Sequence, residues 1–160
     1  MVELAPGEEI RLGGAAVRAV PAVHSGGRAP IATRSGAVGF VVEGSCRVYF
    51  AGDTELFPGM ANLAANLDAA IVPIWGWGPS LGAGHMDPAQ AAEAIGLLRP
   101  RLAVPIHWGT FLPLGYGRRH AQLLRDPPHD FAAHVAILAP ATHVAILAPG
   151  TSLDLGSGDR

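Results

Sequence analysis

Apolar residues fall in short valine-, alanine- and isoleucine-rich runs along this chain, with glycines and prolines scattered between them. Short β-branched runs bounded by turn residues read as strands. They predict strands over residues 9–12, 16–23, 37–42, 47–51, 69–74 and 102–106. From residue 87 to 98 the period changes, and Ala91, Ala94, Ile95 and Leu98 form a helical stripe. Asp87 stands at the N-cap of this helix, Pro88 at its first position and Gln90 three residues after the cap, a capping-box variant. Arg99-Pro100 closes it. A weaker helical pattern covers residues 60–67, so the middle of the chain alternates strand, helix, strand, helix, strand, which predicts α/β layering.

Toward the end, HVAILAP occurs at 134–140 and again at 143–149, with only Ala141-Thr142 between. The unit is one strand long, too short for a solenoid repeat. A tandem strand duplication at 134–149 is expected, with one copy in the last core strand and the other displaced or added at an edge. Deleting 134–142 is then expected to leave stability equal or higher.

Composition narrows the function. Hydrophobic residues make up 49% and charged residues 15%, well outside the regime of disordered chains, so the 160 residues are expected to form a single domain. A formal net charge of -2 gives no electrostatic footprint for a nucleic-acid backbone, which leaves a small-molecule substrate as the expected partner. The single cysteine, Cys46, excludes an internal disulfide framework and suits a reducing compartment, so the cytoplasm is the expected location. No apolar run approaches the roughly 18 residues needed to span a bilayer, and the first residues lack the pattern of a secretory signal.

Three polar residues stand at the ends of predicted strands: His24 after RAVPAV, Asp53 after RVYFAG, and His107 after LAVPI. In layered α/β proteins ligands gather beyond the carboxyl ends of strands. Two imidazoles and a carboxylate there suit zinc or a similar metal. Singly, each has a plainer reading, His24 and His107 as hydrogen-bonded turn residues and Asp53 as an Asx-turn. Trp75, Trp77 and Trp108 suit a pocket wall or the core equally well. His120 and His129 lie in a polar stretch and are expected outside any such cluster. Neither a phosphate-cradling glycine loop nor a GxSxG elbow is present.

The runs VPAVH at 20–24, VYFAGDTELFPGM at 48–60, IVPIWGWGPS at 71–80 and GHMDPAQAAEAIGLLRPRLAVPIHWGTF at 84–111 together resemble the metallo-β-lactamase superfamily. The likeness is greatest to its branch containing ascorbate-6-phosphate lactonase and N-acyl-phosphatidylethanolamine phospholipase D. It implies an αββα sandwich with two divalent metals at one edge, zinc first and manganese or iron as alternatives. By this resemblance His24 is a ligand of the first metal, Asp53 bridges both, and His107 serves the second. His85 of GHMDP then stands near the substrate, where it hydrogen-bonds a leaving group or oxyanion; its plainer reading is a polar residue just before the helix N-cap.

The family's H-x-H-x-D-H motif is absent from this sequence, and Met1 stands only 23 residues before His24. The resemblance therefore implies a partial domain over 1–160, the C-terminal half of the sandwich. A wrongly assigned start, a split gene or a degenerated paralogue would each produce it. The expected function is a metal-dependent hydrolase of ester, lactone or phosphodiester bonds, N-terminally incomplete. The alternative is a non-catalytic remnant acting as a binding module, and self-association through an exposed sheet face is expected in either case.

Overall fold

A computed structural model describes residues 2–24, 36–76, 81, 84–112 and 114–156, with the backbone alone at 117–119. Seven strands form one mixed sheet: β1 (Glu9–Leu12), β2 (Ala15–Pro21), β3 (Val38–Glu43), β4 (Arg47–Phe50), β5 (Ala69–Pro73), β6 (Leu102–Ile106) and β7 (His143–Val144). Their order in the sheet equals their order in the chain, antiparallel from β1 to β4 and parallel from β4 to β7. Two of the antiparallel pairs are joined by short turns, at Gly13-Gly14, where Gly13 takes φ +59°, and at 44–46, whereas residues 22–37 link β2 to β3. The parallel ones need crossovers. These carry a short 3-10 helix (Pro58–Asn62), helix α1 (Pro88–Leu98) and helix α2 (Pro127–Leu138).

Helix α1 begins as its sequence dictates. The Asp87 carboxylate accepts from the Gln90 N–H at 2.8 Å, and the Gln90 side chain accepts from the Asp87 N–H at 3.1 Å, which satisfies two otherwise orphaned donors. Arg99 ends the helix in the left-handed region at φ 50°, its N–H returning to the Ile95 carbonyl. The predicted stripe of Ala91, Ala94, Ile95 and Leu98 is buried, together with Ala92. It packs with Phe131 and Val135 of α2 and with Val20, Val41, Tyr49, Val72 and Ala103 of the sheet. Each fully buried valine, isoleucine or phenylalanine stabilises the fold by about 1.5–3 kcal/mol relative to exposure. Burial also pushes the Tyr49 phenol up, so it stays neutral inside this core.

Two expectations are corrected. The helix expected over 60–67 is a 3-10 turn over Pro58–Asn62, because Asn66 adopts a left-handed φ of 55° that a continuing helix does not tolerate. Nor is the duplicated sequence a duplicated strand. The first HVAILAP finishes α2, burying Val135, whereas the second supplies β7 and pairs with β6 through Leu102↔His143 and Ala103↔Val144.

The side of the sheet away from α1 carries a second apolar surface. Register aligns Phe40, Phe50, Ile71 and Val104 across four strands, and because side chains alternate along a strand this row lies opposite the core-facing Val41, Tyr49, Ala70 and Ala103. Phe50 is 41% exposed. One sheet with helices on one face is the layering of half an αββα sandwich. Among the described residues no helix is long and apolar enough to cross a membrane.

Candidate functional site

The chain leaves β2, β4, β5 and β6 at the same edge of the sheet, and the loops beyond them are laced together. Thr54, wholly buried, accepts from the Val23 N–H at 2.9 Å, and its hydroxyl donates to the Glu55 carbonyl at 3.0 Å. The Glu55 N–H in turn donates to the Val23 carbonyl at 2.8 Å. These bonds pin the loop bearing His24 to the loop bearing Asp53. Glu55 extends the lacing by accepting from the Gly84 N–H at 3.0 Å, next to His85.

The two strand-end imidazoles are oriented alike. His24 Nδ1 lies 2.9 Å from the Gly84 carbonyl, and His107 Nδ1 lies 2.6 Å from the Trp75 carbonyl. A carbonyl can only accept, so each Nδ1 carries the hydrogen and each neutral ring keeps its lone pair on Nε2. This tautomer, fixed by a backbone carbonyl, is the one metal-binding histidines commonly hold. His107 Nε2 faces Asp53 Oδ1 at 3.6 Å, too long for a direct hydrogen bond. Two electron-rich atoms so placed are stabilised by a cation shared between them. Two tetrahedral zinc ligands at ordinary bond lengths stand about 3.4 Å apart, so the donor pair fits such an ion.

His85 neighbours both other imidazoles, its ring centroid 5.1 Å from that of His24 and 5.8 Å from that of His107. Its Nδ1 is buried and has no hydrogen-bond partner among the described residues. The structure thus links His24, His85, His107 and Asp53 in one chain of neighbours. Among the described residues, however, no three or more His, Cys, Asp or Glu side chains are grouped so as to hold a metal ion.

His107 is also conformationally unusual, with φ +62° directly after β6. For a residue with a Cβ this region costs about 1–2 kcal/mol, and such strain gathers where geometry serves function. His107→Gly is expected to be more stable than His107→Ala by about 1 kcal/mol, since glycine alone relieves the strain. Urea denaturation of the two variants measures this, and equal midpoints would mean that the position is not strained.

The other sequence candidates fall elsewhere. His120 is exposed and lies against Tyr116, while His129, His134 and His143 are exposed on α2 and β7. Trp75 and Trp108 pack against the core, and the Trp108 indole donates to the Pro105 carbonyl at 3.0 Å. Trp77 lies outside the described residues. Cys46 is half-buried near Gly156. Sequence reasoning missed Thr54, Glu55 and Gly84, although Thr54-Glu55 directly follows Asp53 and Gly84 precedes His85.

Residues 1–108 match the model of the beta-lactamase superfamily domain. A UPF0173 metal-dependent hydrolase of Pyrobaculum arsenaticum is 38% identical over 142 residues, covering 84% of this chain and 52% of that protein. The chain spans about half the length of the curated relatives it matches. Among solved structures, a metallo hydrolase from the archaeon Ignicoccus hospitalis is similar with a TM-score of 0.70 and 28% identity, over 95% of this chain and 59% of the other. The diiron β-hydroxylase CmlA of Streptomyces venezuelae shares the fold with a TM-score of 0.67 at 18% identity, over 91% of this chain and 33% of its own.

Proposed function

The chain belongs to the beta-lactamase superfamily, and on that premise we propose that it carries part of the metal site of a hydrolase acting on small-molecule esters, lactones or phosphodiesters. The observation behind this reading is the paired tautomers of His24 and His107, with the Nε2 of His107 set against Asp53. His24 and Asp53 would hold one divalent ion and Asp53 and His107 a second, zinc being the expected ion and manganese or iron the alternatives. Such ions, when bound, supply Lewis acidity and lower the pKa of water.

The chain's own residues do the rest. The Asp53 carboxylate accepts a hydrogen bond from the attacking water and aims it. His85, beside both other imidazoles, donates a hydrogen bond to the oxygen that leaves. Charge develops on oxygen in both acyl and phosphoryl transfer, so the same donors serve either substrate class.

A second reading, a non-catalytic interaction module, is favoured by the half-exposed row of Phe40, Phe50, Ile71 and Val104. That face would also support self-association.

With Asp53 shared, each ion has two protein ligands from this chain, fewer than the three usual in catalytic zinc sites. Zinc retained after dialysis is therefore expected to fall well below two equivalents per chain, with slow turnover of a generic lactone or phosphodiester. Nearly two retained equivalents would overturn this ligand count. Turnover abolished by His107→Ala supports the hydrolase. No turnover with zinc, manganese or iron, together with concentration-dependent sedimentation lost in Phe50→Glu, replaces it with the interaction module.

A further inference from the structure

At the other end of the sheet, where the parallel strands begin, lies a cavity of about 900 Å³. Arg47 opens β4, Asp68 precedes β5 and Arg101 precedes β6, whereas Asp53, Trp75 and His107 follow those same strands. A five-residue strand spans about 17 Å, so this cavity is separate from the histidine cluster. Register continues the charged lining outward: Arg47 pairs with Glu43, Glu43 with Ala16, and Ala16 with Arg11, which sets Glu43, Arg47 and Arg11 on one face. Arg99, in its left-handed position after α1, completes the wall.

Four of the chain's eleven basic residues thus meet two carboxylates in one hollow. The carboxylates are committed. Glu43 holds Arg47 at 3.2 Å, and Asp68 holds Arg101 at 3.3 Å while accepting from the Arg47 N–H at 2.7 Å. Arg47 also donates to the Ala65 carbonyl. These bonds fix two guanidinium groups as part of the wall. Arg11 and Arg99 have no carboxylate partner among the described residues.

A guanidinium presents a planar fork of donors that matches phosphate and carboxylate oxygens, and the volume lies in the range of small-molecule clefts. We infer that this cavity is a binding site for a small molecule carrying anionic groups, phosphate or carboxylate, with Arg11 and Arg99 supplying the positive charge that draws it in. Because Arg11 and Arg99 are both exposed, screening keeps the affinity modest and salt-dependent.

Calorimetric titration of the full chain, stripped of metal and kept in chelator at low salt, tests this with two probes, inorganic pyrophosphate and citrate. One-to-one saturable binding of at least one probe is expected, and which probe binds identifies phosphate or carboxylate as the preferred group. The double variant Arg11→Ala/Arg99→Ala is expected to weaken binding about tenfold or more, and His107→Ala to leave it unchanged. Both arginines lie at the surface, and an unaltered melting curve of the double variant confirms its fold. Flat titrations with both probes up to about 10 mM, full binding by the double variant, or loss of binding in His107→Ala overturns the inference.

Discussion

Removal of residues 134–142 is expected to lower the stability of the chain by about 3 kcal/mol, the sum of the bonds set out below at roughly 1 kcal/mol each. The deletion leaves one HVAILAP after Ala133, and that copy must either finish α2 or form β7. If it finishes the helix, Val144 takes the place of the buried Val135, and β7 is lost. The bonds from the Thr142 hydroxyl to the Pro100 carbonyl, from the His143 N–H to Arg101 and from the Ala145 N–H to Ala103 go with it. If it forms the strand, α2 ends early and Val135 no longer fills the core between the helices. The sequence alone pictures one copy as surplus; the structure gives both copies work. An unchanged urea midpoint for the deletion variant would show that one copy is indeed dispensable.

Thr54→Val should damage both stability and metal binding, though the side chain keeps its shape. Valine provides no acceptor for the Val23 N–H, and a partly buried donor left without a partner costs about 1 kcal/mol, the low end of the range for a buried one. His24 follows Val23 and Asp53 precedes Thr54, so loosening this clamp loosens two proposed ligands together. Loss of supporting contacts of this kind typically weakens metal affinity about 10–100-fold. Urea denaturation and zinc competition against a chromophoric chelator measure the two effects. Thr54→Ser, which keeps the hydroxyl, should restore most of both. Equal behaviour of the valine and serine variants would rule out the hydroxyl as the clamp.

What the sequence made legible was decided locally. The run at 102–106 became β6 and that at 9–12 became β1 with the expected bounds, because turn residues flank short β-branched runs on both sides. The caps of α1 were readable because Asp87, Pro88 and Gln90 interact within one helical turn. His24, Asp53 and His107 stood out because a polar residue ending an apolar strand is visible without knowing the partner strands. The lacing by Thr54, Glu55 and Gly84 was not visible, since its bonds join residues about 30 apart in sequence. HVAILAP is the sharpest case. Identical residues become helix behind Pro127-Pro128 and strand beside β6, so neighbours, not intrinsic propensity, select the conformation.

Strand order equal to chain order has a kinetic consequence. Every strand pairs with the one made just before it, so no early strand waits for a distant partner while the chain is synthesised. Growth by addition at one edge means that each step closes only the link between consecutive strands, and loop-closure entropy rises slowly with the length of that link. The helices arrive later, between β5 and β7, and only then does the core-facing side of the sheet become covered. A nascent chain halted before α1 would thus expose apolar surface on both faces of its sheet, the stage at which a chaperone has most to bind.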